Sequence, residues 1–337
     1  MNYFGKNITL QLYANEFEIG VVLSGVKANN VINFKLINEQ LNRIKENIDY
    51  HIISGIKNNI TNNYPITIIV KNTSKNLIEK GIIRPNYSDL LIIEKTNGHF
   101  LENFDSMETL YPITIAGLIC KQILENSHNI KLISHINSVN DCYDKSFKNK
   151  NINVEEYDYL TSDEFPVIDP RAKSHFLQLI KKAKKDKKIL TGTIETIIYN
   201  CPKYLGNPYF NSFESTISHF LYSIPFLKGI IFGNVDELLA KGNETLVDEY
   251  YFDENNIKTL NNYCNGTNSG ITNGDLITVK TYFLPPIPLS NGIKTINIKN
   301  ANEEIIKSNK PSEPLIIHHL IPIIEGIICI GILELLN

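Results

Sequence analysis

The sequence has no tryptophan, only two methionines and five cysteines in 337 residues. The cysteines are odd in number and none has Cys-x-x-Cys spacing, which argues against a disulfide framework and against a cysteine zinc site. The first residues lack the apolar segment of a signal peptide. We therefore expect a reduced, cytoplasmic protein.

A strong excess of one charge is also absent. The net charge of -3 gives no reason to expect a nucleic-acid partner. No Gly-x-Gly-x-x-Gly motif follows a strand-like run, so a dinucleotide-binding fold is disfavoured. The one membrane candidate, residues 314–336, contains His318, His319, Glu325 and Glu334. A spanning helix needs about 20 mostly apolar residues, so we expect a buried core helix there and no membrane partner.

Residues 201–233 carry the best-defined local pattern in the chain. Asn211 is placed to cap a helix, with Glu214 three residues later completing a capping box. The apolar stripe of this helix is Phe213, Ile217, Leu221 and Ile224. Pro225 ends the helix, and residues 230–233 predict a short buried strand.

Apolar periodicity predicts further elements along the chain. The predicted strands are 7–24 (two strands), 52–56, 66–70, 191–199 and 275–283, and the predicted helices are 34–48, 113–124 and 170–185. Asp169 and Pro170 are a good cap and a good first-turn residue. Residues 84–108 are expected to be irregular, and lysine-rich residues 181–188 a solvated helix end rather than an anion site.

Two segments echo each other. Residues 54–68 and 269–279 both contain Ser-Gly-Ile and then Thr-Asn-x-x-x-Ile, if four residues are skipped in the first copy. Both predict a strand–turn–strand unit, which indicates a pseudo-duplicated fold. Chance similarity in a chain rich in asparagine and isoleucine is the alternative.

The order of residues in 201–233 closely resembles chorismate synthases: Leu-Gly-x-Pro, Phe, a helix, Lys-Gly and an apolar strand ending in glycine. Further matches follow the family's order along nearly the whole chain. They are Ser54-Gly55, Arg84-Pro85, Asp169-Pro170, Gly192, Ile271-Thr272-Asn273-Gly274 and Pro322-Ile323-Ile324-Glu325.

This resemblance implies one domain over residues 1–337 with an α/β (α+β) sandwich fold, in which helices pack between two antiparallel sheets. It implies a homo-oligomer, usually a tetramer, with a dimer as the alternative. The implied reaction belongs to the shikimate pathway of aromatic amino acid biosynthesis. It is a reduced-FMN-dependent 1,4-elimination of phosphate from 5-enolpyruvylshikimate 3-phosphate, which yields chorismate.

Both family histidines are replaced in this sequence. The family motif Gly-Glu-Ser-His-Gly aligns so that Asn15 takes the first histidine position. The motif Arg-Pro-Gly-His-Ala-Asp aligns so that Tyr87 takes the second, between a retained Arg84 and a retained Asp89. Asparagine can hydrogen-bond but cannot carry a proton near neutral pH.

Most of the family's phosphate-binding arginines are also missing. The arginine-rich loop after the first helix is reduced to residues 43–50, and the Arg-Ser-Ser-Ala-Arg-Glu-Thr segment to residues 104–109. The flavin-contacting Lys-Pro-Thr-x-Ser-Ile motif becomes residues 284–289. In the C-terminal motif the acid survives as Glu313 and the second arginine becomes His319.

The resemblance therefore assigns the following positions. The catalytic positions are Asn15, Tyr87 and Glu313, and the substrate-binding positions are Arg84, Asp89, His99 and His319. The family's FMN loop would be formed by Asn265, Gly266, Gly270, Thr272 and Asn273. An ordinary turn is the alternative for this loop, and a surface histidine is the alternative for His99. No metal site is expected, because the adjacent His318 and His319 would point to opposite faces of a strand.

Two functions remain open. One is a diverged enzyme, with altered or lost lyase activity, that acts on an enolpyruvyl or related carboxylated cyclic substrate. Loss of one desolvated phosphate-binding arginine commonly costs about 2–5 kcal/mol, and several are missing. The other is a non-catalytic paralogue, a pseudoenzyme that acts as a binding or assembly partner.

Overall fold

Helices and antiparallel strands make up this computed structural model, which describes residues 2–72, 81–98, 107–147, 153–235, 239–240, 246–254, 256–284, 292–307 and 313–337. The strands are β1 (Asn2–Phe4), β2 (Thr9–Ala14), β3 (Glu18–Ser24), β4 (Tyr50–Ser54), β5 (Ile56–Lys57), β6 (Ile60–Thr61), β7 (Ile66–Lys71), β8 (Lys131–Val139), β9 (Cys142–Tyr143), β10 (Gly192–Tyr199), β11 (Leu227–Phe232), β12 (Tyr250–Asp253), β13 (Asn256–Thr259), β14 (Thr267–Asn268), β15 (Ile271–Thr272), β16 (Ile277–Phe283), β17 (Ile293–Asn297) and β18 (Asn302–Ile306). The helices are α1 (Phe34–Asn42), α2 (Asp89–Lys95), α3 (Leu110–His128), α4 (Val154–Ser162), α5 (Pro170–Asp186), α6 (Phe213–Leu221) and α7 (Ile321–Leu336). Short 3-10 turns at Met107–Thr109, Tyr209–Asn211 and Ile317–Leu320 precede α3, α6 and α7.

The main strands form two five-stranded antiparallel sheets. The first has the order β1-β2-β3-β7-β4 and the second the order β11-β16-β10-β8-β9. The order β2-β3-β7-β4 therefore recurs as β8-β10-β16-β11. A short hairpin precedes the equivalent strand of each sheet in the sequence: β5–β6 comes before β7, and β14–β15 comes before β16. Both β7 and β16 pair with a neighbour on each side. The predicted pseudo-duplication is confirmed in the topology.

The sequence echo is repeated in matching hydrogen bonds at two threonines. The Thr61 hydroxyl donates to the Lys27 carbonyl at 2.7 Å and accepts from the N–H of Asn30, three residues after Lys27, at 3.0 Å. The Thr272 hydroxyl donates to the Pro202 carbonyl at 2.6 Å and accepts from the N–H of Leu205, three residues after Pro202, at 2.9 Å. Both threonines are 2% exposed. Each threonine therefore joins the hairpin that precedes a central strand, β7 or β16, to the segment that follows the neighbouring strand, β3 or β10.

The asparagine after each threonine also has an equivalent. The Asn62 N–H donates to the Gly55 carbonyl at 3.1 Å, and the Asn273 N–H donates to the Gly266 carbonyl at 2.9 Å. Each asparagine Oδ1 accepts the N–H two residues later, at 3.2 and 2.9 Å, which makes an Asx-turn. The two copies are thus equivalent at the level of individual atoms.

The helices α3 and α7 lie between the sheets, because α3 contacts β3 and β7 on one side and β8 on the other, where α7 also packs. Residues 110–124 of α3 and 321–334 of α7 are all buried. Residues 317–336 are long and apolar enough to cross a membrane, but most of this segment is buried inside the protein. The predicted core helix is confirmed. The helices meet at two glycines, since a Cβ on Gly117 would lie 2.4 Å from the carbonyl carbon of Gly326.

The predicted cap of α6 is wrong by one residue. The helix is capped by Ser212, whose Oγ accepts from the Ser215 N–H at 3.0 Å, while Asn211 ends a 3-10 turn. Glu214 does not complete a capping box, because its carboxylate accepts a hydrogen bond from the Thr267 hydroxyl at 2.5 Å. Tertiary contact with the β14–β15 hairpin has replaced the local bond.

Two other boundaries differ from the predictions. The first helix ends at Asn42 instead of Ile48, because the chain tightens there and Asn47 adopts a φ of 56°. The segment predicted to be irregular contains α2. The start of α5 agrees with the prediction, since the Asp169 carboxylate accepts from the Arg171 N–H at 2.9 Å.

Candidate functional site

Arg84 and Asp89 form a closed ion pair at the start of α2. The Arg84 Nη2 and Nε donate to the two carboxylate oxygens of Asp89 at 2.6 and 2.9 Å, and the Arg84 backbone N–H donates at 2.8 Å. The Asp89 side chain is 2% exposed. A bidentate pair of this kind is among the stronger ion pairs in proteins. A phosphate would have to compete with Asp89 for these donors.

Tyr87 packs on this ion pair. The Arg84 guanidinium carbon lies 4.0 Å from the centre of the Tyr87 ring, which also meets Phe226 edge to face at 5.3 Å. The ring therefore contributes a cation–π contact and apolar packing. A phenol keeps its proton at neutral pH, so Tyr87 does not replace a histidine as a proton carrier.

Asn15 lies in the turn between β2 and β3 and is exposed. Its Oδ1 accepts from the N–H groups of Phe17 and Glu18 at 2.8 and 2.9 Å, and its carbonyl accepts from the Asn72 side chain at 2.9 Å. These bonds make an Asx-type turn. These turn contacts explain why an asparagine stands at this position, and the explanation requires no ligand.

The side chains of Glu313, His318 and His319 come together beside the start of α7. The Glu313 carboxylate lies 3.3 Å from the His319 Nε2 and 3.6 Å from the His318 Nε2, and the two ring centroids are 3.9 Å apart. Both histidines lie on the 3-10 turn Ile317–Leu320 rather than on a strand. The prediction that they point to opposite faces is therefore wrong.

Arg43 belongs to the same site and was missed from the sequence. Its carbonyl accepts from the His319 Nδ1 at 2.6 Å, and its Nη1 donates to the Gln40 Oε1 at 2.8 Å and to the Thr161 carbonyl at 3.1 Å. Its Nε and Nη2 have no hydrogen-bond partner within the described part of the chain, although the residue is only 8% exposed. Burying unpartnered donors is costly, so an acceptor supplied by a ligand would stabilise this side chain. The available signal was an arginine directly after the apolar stripe of α1.

The surroundings push the pKa values of the two histidines apart. Burial disfavours the charged form of His319, but hydrogen bonds with Glu313 and the Arg43 carbonyl outweigh it and raise the His319 pKa. Burial and the neighbouring His319 charge lower the His318 pKa to about 4. The hydrogen bond from His319 lowers the pKa of Glu313. Pairs of titratable groups with opposed shifts are more common at functional sites than elsewhere.

The first part of the predicted FMN loop is hydrogen-bonded to the residues before it and to β16. The Asn265 side chain accepts from the Thr278 N–H at 2.9 Å and donates to the Thr278 carbonyl at 3.0 Å. The Gly266 N–H donates to the Asn262 Oδ1 at 2.7 Å. These bonds attach the loop to the first residues of β16.

The second part of the loop is fastened to the chain before α6. The Gly270 carbonyl accepts from the first N–H of that helix at 2.9 Å. Thr272 and Asn273 make the same bonds as Thr61 and Asn62 in the other half of the molecule. The duplicated fold accounts for these two residues as parts of a turn.

These contacts do not fit the family's use of FMN. A loop that binds a phosphate presents free N–H groups to it, whereas the N–H groups of Gly266, Thr272 and Asn273 are already donated within the protein. The side chain of Leu284, at the position of the flavin-contacting lysine, has no hydrogen-bond donor. Residues 285–291 lie outside the described residues.

The structure brings the predicted residues together in two separate groups. The first group is Arg84, Tyr87 and Asp89, and the second is Glu313 with His319. No hydrogen bond or ion pair joins the two groups within the described ranges, and Asn15 belongs to neither. His99 lies outside the described residues, so its role stays a prediction.

Residues 16–336 match a family model described as chorismate synthase. The chain is 28% identical to a chorismate synthase of Methanococcus aeolicus, with 100% of this chain and 97% of that protein covered. It is 26% identical to a chorismate synthase of Prochlorococcus marinus subsp. pastoris, with 97% and 94% covered. A crystal structure of chorismate synthase superposes with a TM-score of 0.77 and 21% identity over 98% of this chain and 92% of that one, so the two share a fold.

Proposed function

The chain belongs to the chorismate synthase family, and from that membership we propose that it keeps the family scaffold without the family's ordinary lyase reaction. One observation carries this proposal: the residues at the two histidine positions of the family both make contacts that stabilise the fold. Asn15 closes the β2–β3 turn, and Tyr87 packs on the Arg84–Asp89 ion pair.

The ordinary reaction makes two demands on the protein. A departing phosphate needs fixed cations where its charge develops, and loss of the C6 proton needs a group that exchanges protons near neutral pH. The arginine-rich segments of the family are reduced to residues 43–50 and 104–109, and neither Asn15 nor Tyr87 exchanges protons as an imidazole does. These features support altered or lost lyase activity.

A retained ligand site is favoured over a purely structural role by the group around Arg43. The unpartnered Nε and Nη2 belong to a buried arginine whose backbone carbonyl is the partner of His319 and whose charge helps to lower the His318 pKa. A carboxylate is the natural partner for two guanidinium donors. We therefore propose a diverged member that binds a carboxylated ligand. The non-catalytic assembly partner is the second candidate.

The first test is turnover. Anaerobic incubation of the chain with reduced FMN and 5-enolpyruvylshikimate 3-phosphate should form chorismate at least about 10²-fold more slowly than the Methanococcus aeolicus relative, because each missing proton carrier is worth about 10²–10⁴ in rate. The measurement is a chorismate assay on both proteins under identical conditions.

A matched variant separates the missing histidines from the missing arginines. The double substitution Asn15→His and Tyr87→His should not restore turnover, since the arginine-rich segments of the family stay reduced to residues 43–50 and 104–109. Turnover of the wild-type chain at the rate of the relative would contradict the proposal.

The second test compares the twin threonines. Thr272→Ala and Thr61→Ala should each lower the free energy of unfolding by about 1–3 kcal/mol, because each substitution removes a hydroxyl, on a threonine that is 2% exposed, that donates to a carbonyl and accepts from an N–H. Neither substitution should change the affinity for FMN in a fluorescence titration. A loss of FMN affinity in Thr272→Ala that is absent from Thr61→Ala would show that the loop holds the cofactor.

A further inference from the structure

The Glu313, His318 and His319 side chains have the dimensions of a metal site. One ligand atom from each residue can be chosen so that all three lie within 4.8 Å of one another. Bonds of about 2.1 Å to a tetrahedral ion place the ligand atoms about 3.4 Å apart. The His319 Nε2 lies 3.3 Å from the Glu313 Oε2 and the His318 Nε2 lies 3.6 Å from the Glu313 Oε1, so each nitrogen is already near that spacing from one carboxylate oxygen.

The orientation of His319 suits a metal ligand. Because a carbonyl can only accept, the bond of 2.6 Å to the Arg43 carbonyl places a proton on the His319 Nδ1. The Nε2 then faces the Glu313 carboxylate, and two such acceptors need a proton or a cation between them. Histidine ligands in metal sites commonly donate their other ring N–H to a backbone carbonyl in this way.

His318 is held in place by packing. Its ring lies against His319 on one side and 5.5 Å from the Phe165 ring, and its side chain is 16% exposed. Its Nδ1 is buried without a partner within the described residues. The imidazole therefore has no competing hydrogen bond at that atom to pull it away from Glu313.

We propose that Glu313, His318 and His319 bind one divalent transition-metal ion of the Zn²⁺ class, with the remaining coordination position open to water or a ligand. Two imidazoles and one carboxylate favour zinc-like ions over Mg²⁺ or Ca²⁺, which prefer oxygen ligands. The half-exposed Glu313 gives the ion access from solvent. This site goes beyond the proposed function, because binding of the ion requires no lyase reaction.

The positive charge of the Arg43 guanidinium disfavours a positive charge at His318, so it should also oppose a cation bound there. Arg43 is buried next to the cluster, and its carbonyl is the partner of His319. Replacing the side chain leaves that carbonyl in place. Arg43→Met should therefore bind Zn²⁺ more tightly than the wild-type chain, which a purely adventitious surface site would not show.

The experiment is isothermal titration calorimetry with Zn²⁺ on the full chain, purified without a polyhistidine tag and stripped with a chelator. The wild-type chain should bind one equivalent. Glu313→Gln, at a half-exposed position, should fold normally by circular dichroism and bind at least about 10²-fold more weakly. His51→Gln, at an exposed histidine outside the cluster, is the matched control and should bind like wild type.

Two outcomes would overturn the proposal. One is unchanged Zn²⁺ affinity in Glu313→Gln. The other is loss of the bound equivalent in Cys142→Ala, because the Cys142 Sγ lies 3.3 Å from the His175 Nε2 and offers a competing pair of ligands. The readout is heat of binding, so absence of chorismate formation leaves the result unaffected.

Discussion

Replacing Lys121 by methionine should lower the free energy of unfolding by about 3–5 kcal/mol. Lys121 on α3 donates to Glu325 on α7 at 2.7 Å, and the two side chains are 9% and 3% exposed. Burial by itself lowers the pKa of Lys121, but the Glu325 carboxylate outweighs it and raises that pKa. The substitution would leave the Glu325 charge buried between the central helices without this cation. Urea unfolding of both proteins measures the loss.

The double substitution Lys121→Met and Glu325→Leu should recover most of that stability, since replacing both members of a buried pair by apolar residues is often neutral or better. Lys35→Met is the matched control. Its ion pair with Glu39 is 3.9 Å long and exposed, so its loss should change stability by less than about 1 kcal/mol. A loss below 1 kcal/mol in Lys121→Met itself would show that the pair contributes little.

The central helices and the duplication could be predicted because their signals are local. The run at 321–334 is apolar on every side of a helix, and such a helix must be buried. The echo was readable because Thr61 and Thr272 each need a buried hydroxyl at the same point before a strand. The echo also indicates why the threonine in the predicted FMN loop is present.

The features that were predicted wrongly depend on contacts between residues that are distant in the sequence. Ser212 and Asn211 are both good capping residues. Hydrogen bonds to the β14–β15 hairpin determine which of the two caps the helix. The helix α2 has no apolar stripe, and Leu91 on it is exposed. Its start is instead held by the Arg84–Asp89 pair, which hydropathy does not register.

The candidate site was only partly predictable for the same reason. Glu313 and His319 followed from the family motif, but Arg43 joins them across 276 residues of sequence through its carbonyl. The placement of His318 beside His319 depends on a 3-10 turn, and no strand or helix period predicts such a turn. Local patterns predict elements, whereas these contacts follow from how the elements pack.

A second buried charge cluster was also not visible in the sequence. His135 on β8 is fully buried between Asp144 and Glu195, with both nitrogen–oxygen distances at 2.9 Å. Glu195 also accepts from the Ser146 hydroxyl at 2.6 Å, and Lys280 lies 3.6 Å away. The members come from different strands and a loop, and His135 and Lys280 are 145 residues apart in the sequence, so only the fold brings them together.

Replacing His135 by leucine should lower the free energy of unfolding by about 3–5 kcal/mol near pH 6, because two buried carboxylates would then lose their shared imidazolium. Burial disfavours the charged imidazole, but hydrogen bonds with Asp144 and Glu195 outweigh it and raise the His135 pKa above 6.5. Urea unfolding gives the difference. His51→Leu, at an exposed histidine, should change stability by less than about 0.5 kcal/mol.

The pH dependence of this difference has a definite sign. A raised folded-state pKa means that the His135 contribution is complete below pH 6.5 and is lost as the pH rises through the folded value. The Glu195 pKa is lowered, because hydrogen bonds from His135 and its neighbours outweigh burial, so its contribution is present above pH 4.5 and is lost as the pH falls. Unfolding curves from pH 5 to pH 9 should therefore show the wild-type chain losing its advantage over His135→Leu as the pH rises. An advantage that grows with pH would mean that His135 is neutral in the folded protein.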